Sequence, residues 1–166
     1  MKTFVESYFS YGPLICMFHS RLLNNQINKI HERALRIVYS DETSSFENLL
    51  TRDNSFTIHE RNVQTLAIEV FKVVRGISPE IMKNVFRLKK CIQYQSNQIF
   101  DTHNIRSVYN GTDTLSFLGP KIWNILPNDI KTITCLNVFK KKIRRWKPAE
   151  CPCRLCKNYI QGVGYI

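Results

Sequence analysis

Three cysteines near the carboxyl end are the densest group of potential metal ligands in the sequence. Cys151, Cys153 and Cys156 lie within six residues, and three thiolates can occupy three corners of a tetrahedral zinc site. A closed structural site needs a fourth ligand, and the candidates are Cys135, Cys91, His103 and a group from a partner. The alternative is a set of reduced thiols whose pKa values are lowered by the neighbouring Arg154 and Lys157.

The acidic residues do not indicate a catalytic centre. Two-metal phosphoryl transfer requires carboxylates that converge, so that two ions sit about 3.5–4 Å apart. The aspartates are far apart in sequence, at Asp41, Asp53, Asp101, Asp113 and Asp129. The chain also lacks a P-loop, a dinucleotide-binding glycine pattern and a Gly-x-Ser-x-Gly motif. We therefore expect no intrinsic polymerase or nuclease activity, and no catalytic residues.

The positive charge is concentrated in the second half of the chain. The net charge is +11, yet residues 1–83 hold 10 Lys and Arg against 9 Asp and Glu, whereas residues 84–166 hold 14 against 4. This asymmetry indicates a polyanionic partner, usually nucleic acid and sometimes an acidic membrane surface. A solvated, solubilising face is the alternative. The predicted contact residues are Lys131, Lys140, Lys141, Lys142, Arg144, Arg145, Lys147, Arg154 and Lys157.

Most of these cations belong to a helix predicted from about residue 135 to residue 147. Leu136, Phe139, Ile143 and Trp146 fall within roughly 80° of one another at 100° per residue, so one face can dock on a core. The remaining faces are cationic and match phosphates by charge, without sequence choice. A basic amphipathic helix can also lie on a membrane or bind calmodulin.

Helix signals dominate the first half of the chain. Apolar residues recur at offsets of four and three residues along one helix face, at Leu23, Ile27, Ile30, Ala34 and Ile37. Capping boxes at Ser44 with Glu47 and at Thr57 with Glu60 predict two further helix starts. Gly76 suits the left-handed position after a helix, and residues 78–80 (Ser-Pro-Glu) predict a restart.

The second half predicts a smaller, mixed structure. Polar residues predict a loop at 89–104, and Asn110–Gly111 predicts a hairpin of Ile105–Tyr109 with Thr112–Phe117. Gly119–Pro120 is expected to end the hairpin before a helix that Pro127 stops. The fold class is thus mainly α. Its parts are a helical lobe (1–88), a linker (89–104), a hairpin plus the basic amphipathic helix (105–150) and a Cys-containing basic tail (151–166).

The cell compartment follows from what the sequence lacks. No apolar run approaches the roughly 20 residues that span a bilayer, and the first residues lack the pattern of a signal peptide. We expect an intracellular protein, in the nucleus or the cytoplasm, with reduced cysteines and no membrane partner.

Several motifs occur in an order that resembles a known family. They are Phe4–Ser7 followed by Pro13–Arg21, then Ile30–Tyr39, Ser45–Leu50, Ile58–Asn62, Gly76–Met82, Phe117–Pro127 and Cys151–Cys156. Over nearly the whole chain this order resembles the region downstream of the reverse transcriptase domain in jockey-like non-LTR retrotransposons. The sequence departs from that pattern at Gly12 and Cys16, where cysteine and tryptophan are expected.

The resemblance implies a context for the chain. In that family a nuclease and a polymerase precede this region, and the polymerase uses a Tyr/Phe-x-Asp-Asp motif that is absent here. The segment would be thumb-like and post-thumb material that holds RNA or an RNA–DNA hybrid beside the polymerase domain. Two other hypotheses stay open: a non-functional truncated transposon remnant, with Met1 an internal methionine of an ancestral frame, and a small zinc-dependent interaction module.

Overall fold

The chain is mainly helical, as its sequence predicts. The structure is a computed structural model that describes residues 11–18, 20–86, 88, 99–100, 114–149 and 151–153. Its helices are α1 (Pro13–Cys16), α2 (Arg21–Tyr39), α3 (Phe46–Asp53), α4 (Ile58–Val74), α5 (Glu80–Val85), α6 (Leu115–Ile125), α7 (Asn128–Lys131) and α8 (Leu136–Ile143). None of the helices in these ranges is both long and apolar enough to cross a membrane.

The chain divides into two compact units, residues 1–63 and 64–166, and the division falls within α4. The first unit contains α1 to α3 and the first residues of α4. The second unit contains the rest of α4 and helices α5 to α8. Most of the predicted linker at 89–104 lies outside the described residues. Leu88 and Phe100, near its two ends, pair in an isolated antiparallel bridge.

The predicted hairpin is not confirmed, and its second strand is partly wrong. Residues 105–113 lie outside the described residues, but Leu115–Phe117 form the first turn of α6 instead of a strand. Gly119 and Pro120 lie inside this helix and do not end a hairpin. Pro120 is the sixth residue of this eleven-residue helix, where proline has no backbone N–H to donate to the carbonyl four residues earlier. The burial of apolar side chains on α6 favours the helix. This burial outweighs the local turn signal of Gly119 and Pro120.

The first unit is built on contacts between α2 and α3. Leu35 of α2 and Leu49 and Leu50 of α3 form a buried cluster, and Tyr39 and Phe46 pack against it. The hydroxyl of Tyr39 donates a hydrogen bond to Asp53 Oδ1 at 2.7 Å. Arg52 Cζ lies 4.8 Å from the centre of the Tyr39 ring. Tyr39 therefore ties the end of α2 to the end of α3.

Asp41 organises the turn that joins α2 to α3. Its carboxylate accepts hydrogen bonds from the Ser44 hydroxyl at 2.7 Å and from the backbone amides of Thr43 and Ser44 at 3.1 and 3.0 Å. The predicted capping box at Ser44 is therefore wrong. Ser44 binds Asp41 in the turn, and Ser45 is the residue that caps α3. The Ser45 hydroxyl accepts from the amide of Asn48 at 3.3 Å.

The capping signals around α4 are confirmed. The amide of Thr57 donates to Glu60 Oε2 at 2.9 Å, and the amide of Glu60 donates to the Thr57 hydroxyl at 3.2 Å. These reciprocal bonds satisfy two of the donors that a helix start leaves unpaired. After the end of α4, Gly76 has a φ of 72°. This left-handed conformation costs glycine little, since it has no Cβ to clash.

In the core of the second unit, α4, α6 and the residue that follows α5 lie close together. Val70 and Phe71 of α4, Phe86 after α5, and Leu118 and Ile122 of α6 are all fully or almost fully buried. At Gly119 the α6 backbone approaches these side chains so closely that an added Cβ would overlap Phe86 Cε1. The same Cβ would lie 3.0 Å from Val70 Cγ2. Gly119 thus serves close packing.

We predict that Gly119→Ala lowers the free energy of unfolding by about 1–3 kcal/mol, the usual cost of overpacking a core. Urea denaturation measures the change. Phe86→Leu removes the ring atoms that the new methyl would strike, so the double variant should be more stable than the sum of the two single effects. Strictly additive effects would show that Gly119 and Phe86 do not compete for the same space.

We also predict an acid-dependent loss of stability from Asp41. Hydrogen bonds from the Ser44 hydroxyl and amide, and then from Thr43, lower the pKa of Asp41 to about 2. An unfolded aspartate has a pKa of about 3.9, so the folded state gains stability above that pH and loses it as the pH falls from about 4 to about 2. Asp41→Asn should therefore lower the melting temperature at pH 7, and much of this difference should disappear by pH 2. An equal difference at both pH values would contradict this role.

Candidate nucleic-acid interface

The cationic helix α8 docks through the apolar face that its sequence predicts. It spans Leu136–Ile143, shorter than the predicted 135–147. Phe139 and Ile143 are fully buried, while Leu136 and Trp146 are half-buried. All members of the predicted stripe therefore face inward at least in part, and the cations between them are left on the opposite side.

One face of α4 holds the segment that carries α8. Gln64, Phe71 and Arg75 are spaced by seven and four residues, so they lie on the same side of α4 and its C-terminal turn. The Phe71 ring stacks on the Phe139 ring with centroids 4.1 Å apart and an angle of 21° between the planes. The Gln64 side-chain amide donates to the backbone carbonyl of Trp146 at 2.8 Å.

Arg75 fixes the other end of this segment. Its guanidinium Nη2 donates to the carbonyl oxygens of Lys131 and Ile133 at 3.0 and 2.6 Å. The same guanidinium lies 5.5 Å from the centre of the Phe71 ring. Residues 131–146 therefore run antiparallel to α4, held at both ends by hydrogen bonds and in the middle by stacked rings.

The cations of α8 and its C-terminal turn point to solvent. Lys141, Lys142, Arg144 and Arg145 are exposed, and Lys140 is half-exposed. Within the described part of the chain, one of these five has an acid nearby: Lys142 Nζ lies 3.8 Å from Asp129 Oδ2, and both side chains are more than half exposed. An exposed pair of this kind contributes little energy. Lys140, Lys141, Arg144 and Arg145 form what we call the cationic surface.

The other predicted contact residues differ from these four. Lys147 is exposed. Lys131 instead points back to the fold, because its Nζ donates to the backbone carbonyl of Asn124 at 2.9 Å. Partial burial lowers the pKa of Lys131, and its own carbonyl is an acceptor for Arg75. Lys131 is thus better placed to position α8 than to contact a ligand. Arg154 and Lys157 lie outside the described residues.

The predicted zinc ligands are described only in part. Cys153 is buried and Cys151 is half-buried, whereas Cys156 lies outside the described residues. Cys135, a candidate fourth ligand, is exposed directly before α8. Hydrogen bonds from the backbone amides of Val138 and Asn137 lower the pKa of Cys135. Its thiolate is thereby favoured for metal binding or for reaction.

Sequence reasoning identified the cations but missed the residues that position them. Gln64 and Arg75 look like ordinary polar residues of a long helix, and their partners are backbone carbonyls 82 and 56 or 58 residues away. Backbone acceptors leave no mark on the sequence. The available signal is the spacing of Gln64 and Arg75 from Phe71, which puts polar ends and an apolar centre on one helix face.

No family model, curated protein or solved structure matches the chain.

We predict that Phe139→Ala reduces the stability of the second unit by about 3–5 kcal/mol, because it removes a fully buried ring and its stacking partner is left beside a cavity. The matched control is Val138→Ala, the adjacent residue on the exposed side of α8, which should change stability by less than about 0.5 kcal/mol. Thermal and urea unfolding measure both. Similar effects of the two substitutions would contradict the docking of α8 through Phe139.

Proposed function

We propose that this chain binds nucleic acid through α8 and is a non-catalytic segment from downstream of the polymerase in a non-LTR retrotransposon reverse transcriptase. The observation that carries the binding proposal is the cationic surface, Lys140, Lys141, Arg144 and Arg145. Two of its side chains lie in the last turn of α8 and two in the turn that follows it, and the opposite face of α8 is fixed to α4.

The cationic surface carries unbalanced positive charge. Four cations lie within six residues, on a surface about 9 Å long at 1.5 Å per residue. At an ionic strength near 0.15 M the screening length is about 8 Å, so each of these charges acts on its neighbours. Bringing phosphates to this surface relieves the mutual repulsion and releases counterions from the nucleic acid, which favours binding.

The alternative to nucleic-acid binding is a structural role for these cations at the end of α8. Lys140, Lys141 and Lys142 lie in the last turn of α8, where cations interact favourably with the helix dipole. That effect is confined to the last turn and typically amounts to 0.3–1 kcal/mol per charge. It accounts for one or two cations at a helix end. A run that continues through Arg144 and Arg145 is better explained by an external polyanion.

The aspartates support a non-catalytic role. Asp41 organises the turn between α2 and α3, and Asp53 accepts the hydrogen bond of Tyr39. Asp129 is exposed beside Lys142. Asp101 and Asp113 lie outside the described residues. The three described aspartates thus have individual roles that do not require a bound pair of metal ions.

The resemblance to the region downstream of a reverse transcriptase domain supplies the class of ligand. A segment in that place would meet RNA template paired with DNA primer, so we propose RNA or an RNA–DNA hybrid as the partner. The upstream polymerase domain is the proposed protein partner. Charge contacts from flexible lysines and arginines favour binding with little sequence preference.

The test compares two variants with the same change in net charge. The first variant replaces Lys140, Lys141, Arg144 and Arg145 with glutamine. The second variant also carries four substitutions to glutamine, at exposed cations of other helices: Arg21, Lys29, Arg33 and Lys83. Fluorescence anisotropy with a labelled RNA–DNA hybrid, single-stranded RNA and duplex DNA is measured from 50 to 200 mM salt. We expect the first variant to bind at least about tenfold more weakly, and its slope of log K against log salt to be shallower by about 3.

The control variant should keep nearly the affinity and slope of the parent chain. Equal losses in both variants would show that only total charge matters, and unchanged binding in the first variant would refute the interface. Two readouts on the same samples address the alternatives. Zinc bound to protein purified without added metal would favour an interaction module, and aggregation without a cooperative melt would favour a non-functional remnant.

A further inference from the structure

Trp146 is a large aromatic side chain that the core of the second unit does not fully enclose. Phe139 and Ile143, on the same stripe, are fully buried, and Trp123, the other tryptophan of the chain, is 3% exposed. The side chain of Trp146 is half-buried. An indole with one part in the core and another part in water has aromatic surface left for a ligand.

The backbone of Trp146 is held in place on both sides of its peptide unit. Its carbonyl accepts the hydrogen bond of the Gln64 side chain at 2.8 Å, and its amide donates to the carbonyl of Ile143 at 3.1 Å. Gln64 is itself buried on α4. The indole is thus presented from a backbone that is fixed before a ligand arrives, so less conformational freedom is lost on binding.

Cations flank Trp146 on both sides in the sequence. Arg144 and Arg145 precede it, Lys147 follows it, and all three are exposed. In a single-stranded nucleic acid the faces of the bases are accessible, whereas in a duplex they are covered by the neighbouring base pairs. Proteins that bind unpaired nucleotides combine cations for the phosphates with an aromatic ring on which a base stacks. The segment from Arg144 to Lys147 contains both kinds of group.

An anionic membrane is the other surface that attracts cations together with an aromatic ring. A helix that lies on a membrane inserts its apolar face at the boundary of the lipid chains. The apolar face of α8 is already used, because Phe139 stacks on Phe71 and Ile143 is fully buried. The exposed part of one indole does not replace that face, so a nucleic acid is the ligand that this arrangement favours.

We propose that Trp146 stacks on an unpaired base, and that α8 therefore binds single-stranded RNA, or the single-stranded overhang of a hybrid, in preference to a fully paired duplex. This inference rests on the proposed binding of nucleic acid by the cationic surface and adds the strand state that is recognised. The cations supply the part of the affinity that depends on salt, and the indole supplies the part that depends on the base.

The test uses fluorescence anisotropy of the full chain with two labelled strands of about 12 nucleotides, an oligouridylate and an abasic strand with the same number of phosphates. Trp146→Leu keeps an apolar side chain and removes the aromatic face. We expect this variant to bind oligouridylate at least about fivefold more weakly and the abasic strand less than about twofold more weakly. Its salt slope should equal that of the parent chain, because no cation changes. Trp146→Phe keeps a ring and should retain most of the affinity for oligouridylate.

The matched control is Phe117→Leu. Phe117 is also half-buried, and Lys121 Nζ lies 3.8 Å from the centre of its ring, but Phe117 belongs to α6 and not to the basic segment. This variant should bind both strands as the parent chain does. Equal losses for the two strands in Trp146→Leu would overturn the proposal by assigning Trp146 to the docking of α8. Unchanged binding of both strands would overturn it as well.

Tryptophan fluorescence separates the outcomes further. Oligouridylate should quench the emission of the parent chain more than the abasic strand does, and this difference should vanish in Trp146→Phe, where Trp123 is the remaining tryptophan. The variant with glutamine throughout the cationic surface should lose affinity for both strands. Retained affinity there would overturn the proposed function together with this inference, whereas a loss there combined with normal binding by Trp146→Leu would overturn the stacking alone. A response to phosphatidylcholine vesicles with about 25% phosphatidylserine, without one to oligouridylate, would assign Trp146 to a membrane and overturn the proposal.

Discussion

The stacking of Phe71 on Phe139 is the contact on which the second unit's functional surface depends. Both rings are fully buried and lie 4.1 Å apart. A short helix with three lysines in its last turn has little tendency to stay folded alone, since isolated helices of fewer than about 12 residues are marginal in water. Packing against α4 supplies the missing stability, and this packing also decides which residues face outward.

Hydrogen bonds at the two ends turn that contact into a fixed orientation. A single stacked pair would allow α8 to rotate about the rings, whereas Gln64 and Arg75 bind backbone carbonyls on either side of Phe139. Gln64 is buried, and a buried amide without a partner is costly. The pairing with Trp146 therefore specifies one register of the segment against α4. The cations are therefore positioned by a buried amide, a guanidinium and backbone carbonyls.

The sequence predicted the elements better than their partners. The stripe of α8 was read correctly because Leu136, Phe139, Ile143 and Trp146 leave a single apolar face, so the choice of buried side is forced. On α2 the apolar residues outnumber what one face can hold, and periodicity alone does not reveal that Leu35 and His31 are the buried ones. The start of α6 was wrong because Gly119 and Pro120 signal a turn locally. Tertiary packing against Phe86 and Val70 gives that glycine another purpose.

The asymmetry of charge is visible in the sequence alone. The structure is needed to tell which of the cations are available to a ligand. Among the nine cations between residues 131 and 157, Lys131 is engaged with Asn124 and Lys142 lies beside Asp129. Counting charges treats these residues as equal to Lys141 or Arg145. Their surroundings separate residues that position α8 from residues that are available to a ligand. The cationic surface is the part of the basic region to which the binding proposal applies.

The most direct measurement is amide chemical-shift mapping of the isotope-labelled full chain during titration with a short RNA–DNA hybrid. We predict that the largest shift changes occur at residues 140–145, that they saturate with the hybrid, and that they decrease as salt is raised. Amides of α3 should change little. Shift changes that are absent from residues 140–145, or spread evenly over all cationic parts of the chain, would contradict the assignment of nucleic-acid binding to the outer face of α8.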